Sequence, residues 1–458
     1  MSSRQRLQPS RLVALAFTVI ILLGTFVLML PAATKSGVST PFLDALFTAT
    51  SAVTVTGLST LDVENHWNQL GDWIIAVLIQ IGGFGIIGFA TLVGYLLDGR
   101  ISLSNKMLTT SEASLAVAPD VKGLLKNIAK VMLFFQGLLF VFLAVRFYTY
   151  YGYEFDKALG HGAFHAISAF NNAGFALYSD SMIGFARDGW ILIPMFMTVI
   201  IASLGFPVIV EIRDRAKDKW RSYRGLPSAY GLPAQWSLNS RIVLWATLVL
   251  LIVGTVFIAV LEWNNPKTLG PLNSFDKILD SIFAAVMPRT AGFNAMDMAG
   301  VYPSSWLIMD ILMFIGGASA STAGGIKLGT AVVLFYVIYT EIRGEAAVNI
   351  GNRRLPRSMQ RQALTIVGLS ATVVIGATVL LRLTTDFSLD QILFEVVSAV
   401  GTTGLSTGIT MQLPDHAKFL LSLLMLFGRL GPIVVATSLA LRKTKRHFEY
   451  PRERPLIG

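Results

Sequence analysis

The chain has 458 residues, of which 53% are hydrophobic and only 14% charged, with a formal net charge of +10. Soluble domains carry about a quarter charged residues, so this deficit excludes an ordinary soluble globular protein. The absence of cysteine excludes a disulfide framework, a thiolate metal site and a thiol nucleophile, and the five histidines form no HExxH pair.

The first apolar run, Leu12 to Leu30, follows Arg4, Arg6 and Arg11. It is longer than the apolar core of a cleaved signal peptide, which predicts a retained helix. Along the chain, eight runs reach the roughly 20 residues that cross a bilayer: 11–31, 70–97, 128–149, 188–212, 241–262, 305–341 (long and interrupted), 362–383 and 418–441. Four shorter apolar pieces, 41–53, 160–170, 275–287 and 389–400, suit re-entrant half-helices instead.

Each short piece runs into a glycine loop. The four loops read Ser51-Ala-Val-Thr-Val-Thr-Gly57-Leu, Ser168-Ala-Phe-Asn-Asn-Ala-Gly174-Phe, Val286-Met-Pro-Arg-Thr-Ala-Gly292-Phe and Ser398-Ala-Val-Gly-Thr-Thr-Gly404-Leu. Ten residues before the glycines stand Phe47, Phe164, Ile282 and Phe394. The glycines lie 117, 118 and 112 residues apart, a period that marks one structural unit used four times. The unit is span, short helix, loop, span.

Basic residues set the direction. Of the 37 Lys and Arg, 26 fall in segments 1–12, 98–130, 213–241, 343–361 and 442–458, and only 7 in the intervening segments that hold the loops. By the positive-inside rule both termini are cytoplasmic and all four loops face outward. The same distribution accounts for the net charge without nucleic acid, because inside loops meet anionic lipid. Every unit then enters from the same side, which places four copies about an axis along the membrane normal.

Such loops suit a dehydrated cation. Backbone carbonyls replace its water without putting full charges in the bilayer, glycine permits positive φ, and a short helix aims its partially negative C-terminal end at the ion. The loops carry no ring of Asp or Glu. Arg289 is expected to point behind its loop and pair with Asp276, Asp280 or Asp297, the alternative being a blocking role within the loop.

The four loops together resemble those of the Trk/Ktr/HKT superfamily of potassium transporters, over essentially the whole chain. The resemblance implies an all-α integral membrane fold of four M1–P–M2 pore-loop repeats, with eight transmembrane helices and four re-entrant pore helices around a pseudo-fourfold axis. The repeats are expected at 1–105, 106–225, 226–345 and 346–458, the last including a basic tail. The implied potassium filter comprises Thr54, Val55, Thr56 and Gly57; Asn171, Asn172, Ala173 and Gly174; Arg289, Thr290, Ala291 and Gly292; and Gly401, Thr402, Thr403 and Gly404. In plant members a serine in place of the first glycine goes with sodium transport, so Gly57 favours potassium. Trk-type subunits carry two extra N-terminal helices, and the direct start of this chain on its first unit makes it more similar to the Ktr membrane subunit.

The second span of each unit is interrupted by small residues: Gly82-Gly83-Phe-Gly85, Ser203-Leu-Gly205-Phe-Pro207, and Gly428-Arg-Leu-Gly431-Pro432 in the first, second and fourth. Close helix packing and function are equally good readings of the first two. The third holds Gly316, Gly317, Ala318, Ser319, Ala320, Ser321, Thr322, Ala323, Gly324 and Gly325, followed by Lys327. So poor a helix former inside a span is expected to be a flexible loop, and it resembles the family's intramembrane gating loop. Arg429 lies inside the last span, where a charge is by default functional, and matches a family arginine that helps the gate. Arg146 and Arg382 are expected to snorkel at outer span ends.

The resemblance further implies a plasma-membrane protein, a homodimer, a cytoplasmic ring of nucleotide-binding regulatory subunits and sodium stimulation. It implies no enzymatic activity and no organic cofactor, and no GxxxxGK[ST] fingerprint is present. Three other readings remain: a sodium-conducting member of the same superfamily, an organic-solute carrier, which would tend to show inverted repeats, and a membrane enzyme, for which the spans offer no convincing intramembrane catalytic pair.

Overall fold

A computed structural model describes residues 9–84, 121–227 and 236–432. In chain order the elements are α1 (Pro9–Leu28), α2 (Phe42–Thr54), the one-turn α3 (Val63–His66), α4 (Gln69–Gly83) and α5 (Val121–Thr149). Next come α6 (Phe155–Asn171), α7 (Gly189–Ser203), α8 (Phe206–Tyr223), α9 (Leu238–Glu262), α10 (Ser274–Val286), α11 (Pro303–Phe314) and α12 (Leu328–Ile342). A hairpin of β1 (Asn349–Ile350) and β2 (Arg353–Arg354) precedes α13 (Arg357–Thr384), α14 (Leu389–Gly401) and α15 (Asp415–Leu430). Gly85, the ends of the second and eighth expected spans and the basic segments 98–120 and 442–458 lie outside the described residues.

Among the described residues, the bent α7–α8 pair has the length and composition to cross a bilayer only if taken together, whereas four helices, α1, α5, α9 and α13, are long and apolar enough on their own. Only 22–33% of each apolar window is buried, and side chains such as Phe134, Trp245, Val260 and Ile375 point outward. Backbone polar groups inside a helix are satisfied internally, so such faces can meet lipid at no hydrogen-bonding cost.

The short helices α2, α6, α10 and α14 are the buried ones. Phe47, Phe164 and Phe394 are each at most 2% exposed. In α10 the buried aromatic is instead Phe283, with Ile282 half-exposed. The helix that was expected over 160–170 begins earlier, at Phe155, and gains an extra turn and more.

Packing runs in a closed circuit. Each long helix packs on the short helix that follows it: α1 on α2, α5 on α6, α9 on α10, α13 on α14. The next helix then reaches forward to the short helix of the following set: α4 to α6, α7 to α10, α11 to α14, and α15 back to α2. Polar contacts reinforce the circuit. Lys418 Nζ sits 2.8 Å from Asp44 Oδ1, joining α15 to α2. Gln80 Oε1 accepts from Gln136 Nε2 and Asn171 Nδ2, both at 2.9 Å, joining α4 to α5 and α6.

The expected 188–212 span is not one helix. It breaks between Ser203 and Phe206 into α7 and α8, which meet at 102°. Gly205 there has φ 85°, and Pro207 brings no N–H into the first turn of α8. Arg146 is ion-paired rather than snorkelled: its Nε lies 2.8 Å from Asp188 Oδ2 and its guanidinium stacks on Tyr150. Arg382 caps the carbonyl of Thr385 at 3.4 Å.

The small residues of α4 and α15 have a packing reason. A Cβ on Gly82 would run into the carbonyl oxygen of Val53, and one on Gly428 into that of Val400. These carbonyls sit in the last turns of α2 and α14, so the glycines let a second helix lie directly against the end of a short one. Gly82→Ala and Gly428→Ala should each destabilise the detergent-solubilised protein by about 1–3 kcal/mol. Gly137→Ala and Gly376→Ala, where a new Cβ meets nothing within 4 Å, should be neutral or stabilising by up to ~1 kcal/mol. Thermal unfolding of the four variants checks both halves.

Candidate functional site

The four glycine loops share one backbone trace. Two residues before each glycine stand Val55 (φ 56°), Asn172 (φ 61°), Thr290 (φ 92°) and Thr402 (φ 49°). These are four of the six non-glycine residues with positive φ among those described. The glycines are positive as well: Gly57 97°, Gly174 73°, Gly292 68° and Gly404 98°. The residues between, Thr56, Ala173, Ala291 and Thr403, are not. Alternating hand in this way frees successive peptide groups from the alternating directions they take along a strand, so neighbouring carbonyls can face one side.

A left-handed residue costs roughly 1–2 kcal/mol, and three of the four are β-branched, for which such φ is a true outlier. Strain of this kind persists where surroundings over-determine it. Here the helix ends do so. Thr56 N donates to Ser51 O at 2.8 Å, Ala173 N to Ser168 O at 2.8 Å and Thr403 N to Ser398 O at 2.9 Å. In the third loop Pro288 has no N–H, and Ala291 N instead reaches Met287 O at 2.9 Å.

The loops meet in a ring. A Cβ built on Gly57 would strike the Ala173 carbonyl oxygen and lie 3.1 Å from the Gly174 α-carbon. One on Gly174 would lie 2.7 Å from Ala291 O and 2.9 Å from the Gly292 α-carbon. One on Gly292 would strike Thr403 O and lie 3.0 Å from the Gly404 α-carbon. One on Gly404 would strike Thr56 O and lie 3.0 Å from the Gly57 α-carbon, which closes the circle. All four glycines line one cavity of about 200 Å³, shared with Ser59, Asp62, Tyr178, Asn294 and Thr410.

The polar side chains of these loops turn away from the ring. Thr54 Oγ1 bonds Thr50 O and Thr56 Oγ1, both at 2.7 Å. Asn171 reaches Gln80, and Asn172 Nδ2 donates to Thr290 Oγ1 at 3.2 Å. Thr403 Oγ1 donates to Pro288 O at 3.3 Å. Gly401 closes α14 where a side chain would crowd Met313 O at 2.7 Å. Side chains thus tie neighbouring loops together, while the ring contacts themselves are made by main chain.

Arg289 departs from expectation. It is 2% exposed and does not line the cavity, yet it makes no ion pair with Asp276, Asp280 or Asp297. Two of those carboxylates are engaged elsewhere: Asp276 accepts from Asn273 Nδ2 at 2.7 Å, and Asp297 caps Ala299 N at 3.0 Å. Asp280 is buried with neither oxygen bonded.

The small-residue run 316–325 is non-helical and mostly buried. Its ends pin each other: Gly316 N donates to Ile326 O, and Leu328 N to Gly317 O, both at 2.9 Å. Between them the loop crosses three helix sets. Ala318 N donates to Ser203 O at 2.9 Å, and Phe206 N to Ala320 O at 3.1 Å, at the α7–α8 bend. Gly324 abuts Thr402 Oγ1 and Gly325 the backbone of Gly401. Arg429, 3% exposed, donates to Thr322 O and also to Gly82 O on α4. Lys327 Nζ donates to Ala323 O at 2.6 Å. The loop contacts residues that precede Gly404, whereas the cavity is lined by Gly404 and residues after it. Loop and cavity thus lie on opposite faces of the ring.

Two histidines the sequence places four apart, His161 and His165, sit on α6 against Tyr178 rather than as a metal pair. No cluster of His, Asp or Glu with metal-ligand geometry occurs among the described residues. Sequence reasoning missed Glu395, a buried carboxylate of α14 that accepts from Ser406, Thr407 and Thr410. A lone acid in the apolar Phe394-Glu-Val-Val segment was the available signal.

Residues 7–448 match the family model TrkH, described as a cation transport protein. The chain is 35% identical to the Ktr system potassium uptake protein B of Vibrio alginolyticus, over 98% of this chain and 94% of that one. It is 32% identical to the potassium/sodium uptake protein NtpJ of Enterococcus hirae, over 99% and 98%. The crystal structure of the potassium transporter TrkH from Vibrio parahaemolyticus shares the fold, with TM-score 0.72 over 96% of this chain and 86% of that one at 18% identity.

Proposed function

This chain belongs to the TrkH family of cation transport proteins, and from that membership we propose that it is the ion-translocating membrane subunit of a potassium uptake system. It is a transporter and not an enzyme. The observation that carries the proposal is the closed ring of four glycines beneath one cavity.

On this reading the helix sets are four M1–P–M2 repeats about a pseudo-fourfold axis, divided near 105, 225 and 345. The carbonyls of Thr56, Ala173, Ala291 and Thr403, with their neighbours in each loop, replace the water of a monovalent cation. Three things support potassium: glycine at all four ring positions, no acidic side chain in the ring, and relatives named for potassium uptake. The name of the Enterococcus relative includes sodium, which favours sodium conduction as the second reading.

The segment 316–325, with Lys327 and Arg429, serves as the gate. Its contacts with Gly401 and Thr402, ahead of the ring glycine Gly404, support this, as does the double grip of Arg429 on Thr322 and Gly82. Opening requires the Arg429 contacts to break, and the guanidinium adds an electrostatic barrier to a cation. Cytoplasmic termini in a plasma membrane follow from the basic segments. A homodimer, a cytoplasmic nucleotide-binding ring and sodium stimulation rest on the superfamily resemblance.

Expression in an uptake-deficient bacterium, with and without a regulatory subunit, should restore growth at low potassium; rescue of a sodium or solute phenotype alone would refute the assignment. Gly57→Ser should lower potassium-over-sodium preference about tenfold, equivalent to about 1.4 kcal/mol. The new Cβ has no space beside Ala173 O, so that carbonyl must shift; competitive uptake of the two ions reads the ratio. Arg429→Ala should raise flux or uncouple it from regulation, measured as rubidium uptake, with unchanged rate and unchanged regulation as the refuting outcome.

A further inference from the structure

The residues that follow Gly404 are built around a single buried carboxylate. Glu395 is 1% exposed and lies nine residues before the ring glycine, one turn upstream of Ser398 on α14. Its Oε1 accepts from Ser406 Oγ at 2.6 Å, Thr407 N at 3.0 Å and Thr407 Oγ1 at 3.4 Å. Its Oε2 accepts from Thr410 Oγ1 at 2.7 Å, and that hydroxyl also bonds Ser406 Oγ at 2.8 Å. Ser406 and Thr410 line the outer cavity. Ser398 Oγ, on the same helix face, accepts from Gly404 N at 3.1 Å. The ring segment of the fourth set is therefore held on its outer side by two acceptors three residues apart on one helix.

The other sets show how specific this arrangement is. At the matching position of α6 stands His165, whose Nε2 accepts one bond from Leu177 N at 3.3 Å. In the first set Ser51 Oγ takes Gly57 N at 3.0 Å, and Asp44, further back, takes Thr60 Oγ1 at 2.8 Å. In the first set the nine-back residue is Thr48 and in the third Phe283, neither of which braces its loop. A carboxyl group offers two oxygens on one rigid plane, so a single side chain holds Ser406, Thr407 and Thr410 in fixed relation. Thr403, whose carbonyl faces Gly292 in the ring, lies three residues before Ser406, the first residue so clamped.

We propose that Glu395 is a positioning residue for ion selection: a buried carboxylate that fixes the outer half of the fourth glycine loop through Ser406, Thr407 and Thr410, and so sets the direction of the Thr403 and Gly404 carbonyls. It touches no transported ion. The inference rests on the potassium-filter reading above and deepens it.

The test measures potassium-over-sodium uptake ratios for the full chain in uptake-deficient cells, normalised to the amount of protein in the membrane. Glu395→Ala should lower the ratio about tenfold. Glu395→Asp keeps the carboxyl group but shortens the reach by one methylene, and should lower the ratio almost as far. Glu395→Gln keeps one acceptor oxygen and should fall between wild type and alanine. Thr410→Val, which leaves the helix intact, should shift the ratio in the same direction, and its effect should be smaller when combined with Glu395→Gln than alone. If the alanine variant fails to reach the membrane, the Gln and Thr410→Val ratios decide. A group that merely stabilised the fold would lower protein amount and melting temperature while the ratio of the surviving protein stayed at the wild-type value, and that result overturns the proposal. Failure of the wild-type chain to discriminate potassium at all would instead overturn the filter reading beneath it.

Discussion

Four backbone carbonyls press against four glycine α-carbons, and the rest of the molecule is arranged to keep them there. Each glycine is required twice over, by a positive φ and by the lack of space for any side chain. The ring is therefore a main-chain object. Hydroxyl and amide side chains of the same loops point backwards and cross-link, as Asn172 does to Thr290 and Thr403 to Pro288. On the proposed reading, a dehydrated cation is the partner that these main-chain oxygens would serve.

The helices explain how such strain is sustained. Short helices end at the ring, and second helices pack against those ends through Gly82 and Gly428. Long helices face lipid and enclose the set. Because each second helix also reaches the next short helix, and α15 returns to α2, displacing one loop disturbs its neighbours on both sides. The Lys418–Asp44 pair sits where chain ends meet chain start in this circuit, at the one junction that no direct connection holds together.

The four sets are not equivalent. The third loop contains Pro288, loses the turn hydrogen bond the others share, and carries Arg289 buried without the expected carboxylate. The third set also carries the non-helical run 316–325, which crosses to the second and fourth sets and, through Arg429, to the first. The fourth set has the buried carboxyl brace at Glu395. The repeated loops build the ring, and the departures from repetition are concentrated in the third and fourth sets.

Much of this was readable from residue order. Apolar run lengths single out α1, α5, α9 and α13, because bilayer thickness sets the length of a span. The other four expected runs are interrupted by small residues, and among the described residues their helices α4, α7, α11 and α15 are no longer than the 17-residue α6. The glycine period marks the ring positions, since only glycine fits there, and the run 316–325 reads as a break because small residues neither favour a helix nor fill a span. What the tertiary structure decided is everything that depends on which backbone comes near which. The order of contacts round the ring, the 102° bend at Gly205, the grip of Arg429 on two carbonyls far apart in the chain, and the failure of Arg289 to find Asp276, Asp280 or Asp297 leave no periodic trace in the sequence. A period reports a local constraint repeated along the chain, whereas a contact between distant segments depends on how all the intervening helices pack.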